Sequence, residues 1–64
     1  MIRNEHYLRI GPHIQARIVY HVGDKVQGWY WSVGSMEAVG PFYNACDAEL
    51  AATNWMVDNV RVPS

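Results

Sequence analysis

The sequence predicts an α+β fold in which a small antiparallel sheet of three strands packs on one C-terminal helix, in the order βββα. Apolar and polar residues alternate strictly over residues 14–22, which is typical of a half-buried strand. Apolar residues recur at helical spacing over residues 44–59. The 64 residues allow a single domain, residues 1–64, with a thin core.

Three short strands are expected before the helix. Residues 6–10 alternate until Gly11-Pro12 interrupts them, which predicts the first strand. Residues 29–33 are rich in strand-forming side chains. A loop over residues 23–28 joins this last strand to the strand over residues 14–22, so the two are expected to form an antiparallel hairpin.

The alternation assigns each strand residue to one face of the sheet. The even-numbered residues of the second strand are expected in the core, and its odd-numbered residues are expected to face water. Tyr30 belongs to the open face, beside Arg17 or Val19. The residues of the third strand that face the helix are Trp29, Trp31 and Val33.

Two features lie between the hairpin and the helix. Residues 36–39 fit either a fourth edge strand or a loop, and the sequence leaves both open. Gly40-Pro41 then predicts a break before the helix, and Phe42 or Tyr43 is expected to pack across the first helical turn.

The helix has a marked start at Asn44, a favoured N-cap residue, with Asp47 at the third helical position. A second, narrower apolar stripe either covers the rim of the sheet or forms a dimer or partner surface; it consists of Cys46, Leu50 and Val57. A broad apolar sector is expected to pack on the sheet and comprises Ala45, Ala48, Ala51, Ala52, Trp55 and Met56. Residues 60–64 are expected to form an extended tail.

Charge is distributed unevenly along the chain, although the formal net charge is only −1. Residues 34–59 contain no lysine or arginine, and the first 33 residues are net positive. This asymmetry predicts that the chain has an acidic surface, which binds a basic surface on a protein partner. The carboxylates expected to form it are Glu37, Asp47, Glu49 and Asp58.

Residues with catalytic or metal-binding chemistry are sparse. The three histidines His6, His13 and His21 lack the spacing of metal ligands, and the single Cys46 is expected to be a buried small apolar residue rather than a reactive thiol. Asp47 and Glu49 point about 160° apart on a helix, so they form no acid/base pair. The sequence therefore predicts no enzymatic activity and no cofactor.

One alternative function is a structural homodimer or accessory subunit. Another uses the open face of the sheet to bind nucleic acid. Arg9, Arg17 and Tyr30 would supply positive charge and one ring for stacking. The acidic helix opposes phosphate, so direct nucleic-acid binding is the less favoured prediction. The sequence offers neither a signal peptide nor an apolar run long enough for a membrane span, and one cysteine suits a reducing compartment, so the cytoplasm is expected.

The stretch GWYWSV followed by GPFYNACDAELAATNW resembles a class of very small bacterial and phage proteins. In that class a hairpin with an aromatic last strand leads through a Gly-Pro-Phe step to an alanine-rich helix that ends near a tryptophan. The resemblance covers about residues 14–58 and extends to phage and prophage proteins such as anti-CRISPR proteins. It implies a single small α+β domain that inhibits a host complex stoichiometrically.

Overall fold

The computed structural model describes residues 1–12, 14–23 and 25–60. Its five elements are β1 (Ile2–Arg9), β2 (Gln15–His21), β3 (Gly28–Val33), β4 (Val39–Phe42) and α1 (Ala45–Val60). The strands form one antiparallel sheet in the order β1-β2-β3-β4, and α1 packs over β2, β3 and β4 on one face. The predicted α+β class is confirmed, with the fourth strand present.

The first two strands pair over most of their length. Tyr7 lies opposite Arg17 and Leu8 opposite Ala16, and β1 begins at Ile2, four residues earlier than predicted. A bulge interrupts the register between Ile2 and Asn4. The early start adds an exposed half-strand that carries polar side chains, which alternation of apolar residues does not reveal.

The hairpin of β2 and β3 has the predicted pairing. Tyr30 lies opposite Val19, and Arg17 lies opposite Ser32. The face that carries Ile18 and Trp31 is turned to the helix, as the period of two predicts.

The fourth strand differs from the prediction in position and composition. It spans Val39–Phe42, so Gly40 and Pro41 belong to the strand instead of separating it from the helix. The bond between them is cis, and the register to β3 shifts at this point. Proline cannot donate to a ladder, but an edge strand with a bulge does not require that donor.

The helix buries its broad apolar sector against the sheet, as predicted. Ala48, Ala52 and Met56 have no exposed surface, because alanine allows the helix to lie close to the sheet. The indole rings of Trp31 and Trp55 meet at 5.9 Å between centroids. The core cluster consists of Ala16, Ile18, Trp31, Ala48, Ala52 and Met56.

The C-terminal boundary of the helix falls later than expected. Val60, predicted as the start of a tail, is the last residue of α1. The rest of the predicted tail, residues 61–64, lies outside the described residues. Within the described part of the chain, α1 is too short and too polar to span a membrane.

Candidate functional site

The narrow apolar stripe of the helix lies on the surface. Leu50 is 61% exposed, Val57 is 46% exposed, and Cys46 is exposed as well. The stripe therefore does not cover the rim of the sheet, and the prediction that Cys46 is buried is wrong. The broad apolar sector of the helix packs on the sheet. Cys46 lies at a different angle around the helix axis, among polar residues, and so points away from the sheet.

Two carboxylates flank this stripe on one side. Asp47 and Asp58 are exposed, and eleven residues place them about 20° apart around the axis and about 16 Å apart along it. Asn44 Oδ1 accepts a hydrogen bond from the Asp47 amide at 2.8 Å, which confirms the predicted N-cap. We call Cys46, Leu50 and Val57 with these two acids the acid-flanked stripe. The helix supplies no lysine or arginine to offset its charge.

Glu49 lies outside this surface. Its Oε2 is 2.7 Å from His6 Nε2, across the junction between α1 and β1, and the side chain is 37% exposed. A carboxylate only accepts, so the imidazole donates. The sequence grouped Glu49 with the other acids because nothing local reveals that an edge-strand histidine approaches it.

Glu37 is exposed, but on a different element from the other acids. It lies in the segment that joins β3 to β4, so any acidic surface that included it would combine a loop with a helix. Asp47 and Asp58 remain the two carboxylates that share one helical face.

The exposed aromatic ring of Tyr43, at the start of the helix, was not predicted as part of the site. Tyr43 is 97% exposed, whereas Phe42 packs against the core. Tyr43 immediately precedes the N-cap Asn44, so it stands at the same end of the helix as Asp47. The sequence did contain a signal for this exposed ring. Two aromatic residues are adjacent here, and a thin core has room for only one of them.

The open face of the sheet is less open than predicted at Tyr30. The side chain lies on the expected face, but the residue is only 6% exposed. Its hydroxyl donates to the Val26 carbonyl at 2.6 Å. The His21 ring is perpendicular to the Tyr30 ring with 5.2 Å between centroids, and Lys25 Nζ lies 5.2 Å from the Tyr30 centroid. Tyr30 thus belongs to a small second cluster under the β2–β3 loop and is not available as a stacking platform.

The two arginines of this face differ in their surroundings. Arg17 Nε donates to Glu5 Oε2, and this hydrogen bond raises the pKa of Arg17 above its ordinary value. Arg9 is exposed, and no residue of the described part of the chain forms an ion pair with it. Beside them lies a shallow cavity of about 470 Å³ lined by Tyr7, Gln15, Arg17 and Ser32, among others.

No metal centre is formed within residues 1–12, 14–23 and 25–60, since no three acidic, histidine or cysteine side chains converge there. His13, one of the three histidines considered above, lies outside the described residues. The chain was also compared with known proteins. No family model, curated protein or solved structure matches it.

Proposed function

We propose that this chain is a non-enzymatic protein-interaction module that occupies a basic, nucleic-acid-binding surface of a larger host complex. It would act stoichiometrically in the host cytoplasm, as a phage-encoded inhibitor of the anti-CRISPR kind does. The observation that carries the proposal is the acid-flanked stripe. Leu50 and Val57 expose 61% and 46% of their surface beside Asp47 and Asp58, on a helix with no basic residue.

The stripe supplies both affinity and selectivity. Full burial of a leucine or valine side chain is worth about 1.5 to 3 kcal/mol, so a partner that covers Leu50 and Val57 gains a useful hydrophobic term. The adjacent acids steer a positively charged partner and penalise a negative one. Tyr43, at the N-terminal end of the same helix, is the kind of side chain that anchors interfaces.

The same arrangement disfavours a homodimer built on this stripe. In an antiparallel pairing of two helices, Asp47 of one copy would approach Asp58 of the other, and like charges at short range oppose this arrangement. A parallel pairing places the acidic flanks of the two copies on opposite sides of the contact, so neither copy supplies a basic partner for them. A different protein with basic side chains fits the surface better than a second copy does.

The nucleic-acid alternative has less support. Its ring, Tyr30, is buried, and the charge of Arg17 is matched by Glu5. Arg9 alone is a weak attraction for a phosphate backbone, whose binding depends on several cations acting together.

The proposal is tested by affinity capture from a bacterial lysate with the native chain and with a variant carrying Asp47→Lys and Asp58→Lys. Asp47 lies near the N-terminus of the helix and Asp58 near its C-terminus, so their reversals act oppositely on helix stability through the dipole. The native chain is expected to capture a nucleic-acid-binding complex in low salt and to displace its nucleic acid. The double variant is expected to lose both effects.

Glu37→Lys is compared with each single reversal, Asp47→Lys and Asp58→Lys, as the matched control, because it makes the same single charge reversal on another element. It should retain capture. Equal capture by the native chain and the double variant would contradict the proposal, and an equal loss with Glu37→Lys would show that net charge matters instead of the helix face. Leu50→Glu should abolish capture with little effect on folding, because Leu50 is exposed.

A further inference from the structure

The strand β1 occupies one edge of the sheet, where β2 is its single neighbour among the strands that the structure describes. It spans eight residues without proline, Ile2–Arg9, and the helix lies over the other three strands. An edge strand of this length presents unpaired N–H and C=O groups to any strand that approaches it.

The hydrogen bonding shows which residues of β1 present those groups. Ile10 donates its amide to the Ile14 carbonyl at 3.3 Å, and these two residues continue the register that places Leu8 opposite Ala16. In an antiparallel ladder, residues that bond to the neighbouring strand alternate with residues that point away. The backbone N–H and C=O groups of the even-numbered residues from His6 to Ile10 therefore bond to β2. Those of the odd-numbered residues point away from β2, toward the open edge of the sheet.

Three outward-pointing residues form a charge pattern that is complementary to itself. Glu5, Tyr7 and Arg9 are exposed and lie on the same face of the strand. When two copies of β1 run antiparallel about a twofold axis at Tyr7, each Glu5 lies opposite an Arg9. The two tyrosines then face each other across the axis. All three pairs are of the hydrogen-bonded type, which gives about six backbone hydrogen bonds.

The contacts within one copy leave these charges able to pair. Arg17 and the Tyr7 hydroxyl both bond to Oε2 of Glu5, so Oε1 remains to accept from a second guanidinium. Arg9 has no counter-ion within the part of the chain that the structure describes. A carboxylate accepts several hydrogen bonds, so one Glu5 can hold both arginines.

Charge also rejects the registers shifted in one direction, and the first shift in the other direction loses both Glu5–Arg9 pairs because it places Arg9 opposite Tyr7. A shift by one step in one direction places Arg3 opposite Arg9, and a further step places Glu5 opposite Glu5. A register that pairs Arg3 with Glu5 is complementary, but it runs through the bulge between Ile2 and Asn4, where the ladder is interrupted. Like charges directly opposite one another destabilise a strand pair.

We infer that the β1 edge is a self-association surface, on which a second copy of this chain pairs antiparallel through Glu5, Tyr7 and Arg9 to give one continuous eight-stranded sheet. The twofold axis is perpendicular to the sheet, so both helices lie on the same side of it. The acid-flanked stripe is on another face, so the pairing is independent of the proposed function.

The test is amide hydrogen exchange by NMR on the native chain between micromolar and millimolar concentration, with sedimentation equilibrium alongside. The amides of Glu5, Tyr7 and Arg9 should slow by about tenfold once nine chains in ten are paired. Those of His6 and Leu8 should be protected at every concentration, because they bond to β2. The mass should rise from 7.3 kDa toward twice that value.

Two charge variants make the register testable. Arg9→Glu and Glu5→Lys each place like charges opposite one another, so each should remain monomeric. An equimolar mixture restores both attractive pairs and should associate. A constant mass of 7.3 kDa for the native chain, a dimer whose outward amides still exchange fast, or self-association of Arg9→Glu alone would overturn the inference.

Discussion

His6 on β1 and Glu49 on α1 are joined by a contact of 2.7 Å between Nε2 and Oε2, although 43 residues separate them in the chain. The helix lies mainly over β2, β3 and β4, so this contact ties the edge strand to the helix. The two side chains are 42% and 37% exposed, so water competes for both groups.

The His6–Glu49 pair should therefore contribute little to stability. A double-mutant cycle with His6→Ala and Glu49→Ala should give a coupling free energy of about 0.2 to 1 kcal/mol, measured by denaturant unfolding. Zero coupling would mean that the contact does not stabilise the fold. A coupling above about 3 kcal/mol would imply a buried pair, contrary to the exposure of both groups.

Met56 and its neighbour Val57 should differ sharply in their effect on unfolding. Met56 is fully buried in the core, so Met56→Ala should lower the free energy of unfolding by about 2 to 5 kcal/mol, enough to unfold much of a domain this small. Val57 is 46% exposed, so Val57→Ala is the matched control and should change it by less than about 0.5 kcal/mol. Similar losses in both variants would contradict the orientation of the helix.

Gly40 should resist substitution more strongly than Gly34. Both have positive φ, at 157° and 60°, so alanine is strained at either position. A Cβ at Gly40 would also stand 2.6 Å from the Trp29 carbonyl oxygen and 2.7 Å from the Tyr30 ring, whereas nothing lies within 4 Å at Gly34. Gly40→Ala should destabilise by about 1 to 3 kcal/mol more than Gly34→Ala in thermal or denaturant unfolding. Equal losses would show that β4 does not approach β3 as described.

Cys46 should react with a thiol reagent in the native protein, because its side chain is exposed. Labelling should be stoichiometric and faster than global unfolding, as followed by mass spectrometry. A bulky label should leave the free energy of unfolding unchanged but block partner capture through the acid-flanked stripe. Labelling only at the rate of unfolding would restore the expectation that Cys46 is buried.

Much of the fold was predictable, because side-chain periodicity and helix capping depend on residues that are close together in the sequence. The alternation over residues 14–22 predicts which side of β2 meets the helix, and the spacing of Ala48, Ala52 and Met56 predicts which side of α1 meets the sheet. Asn44 predicts where the helix begins. The start of β1 was not predictable in this way, because its first four residues are exposed and three of them, residues 3–5, are polar.

The candidate site was predictable only in part. The sequence placed Cys46, Leu50 and Val57 on one stripe, but it gave no means to choose between a covered rim and an exposed surface. It also placed Tyr30 on the face opposite the helix, without indicating that the β2–β3 loop and Gly40 enclose the ring. These outcomes depend on residues distant in the chain, so no local pattern reports them.

The sequence by itself determined three strands and the helix, their order and the faces that β2 and β3 turn to the helix, because hydrogen-bond geometry fixes the side-chain periods of 2 and 3.6 residues. Only the tertiary structure decided that Glu49 binds His6, that Arg17 binds Glu5 and that Gly40-Pro41 lies within an edge strand. Each of these depends on how closely separate elements approach. That distance is set by the packing of the whole chain, and it leaves Asp47 and Asp58 as the exposed acids beside the stripe.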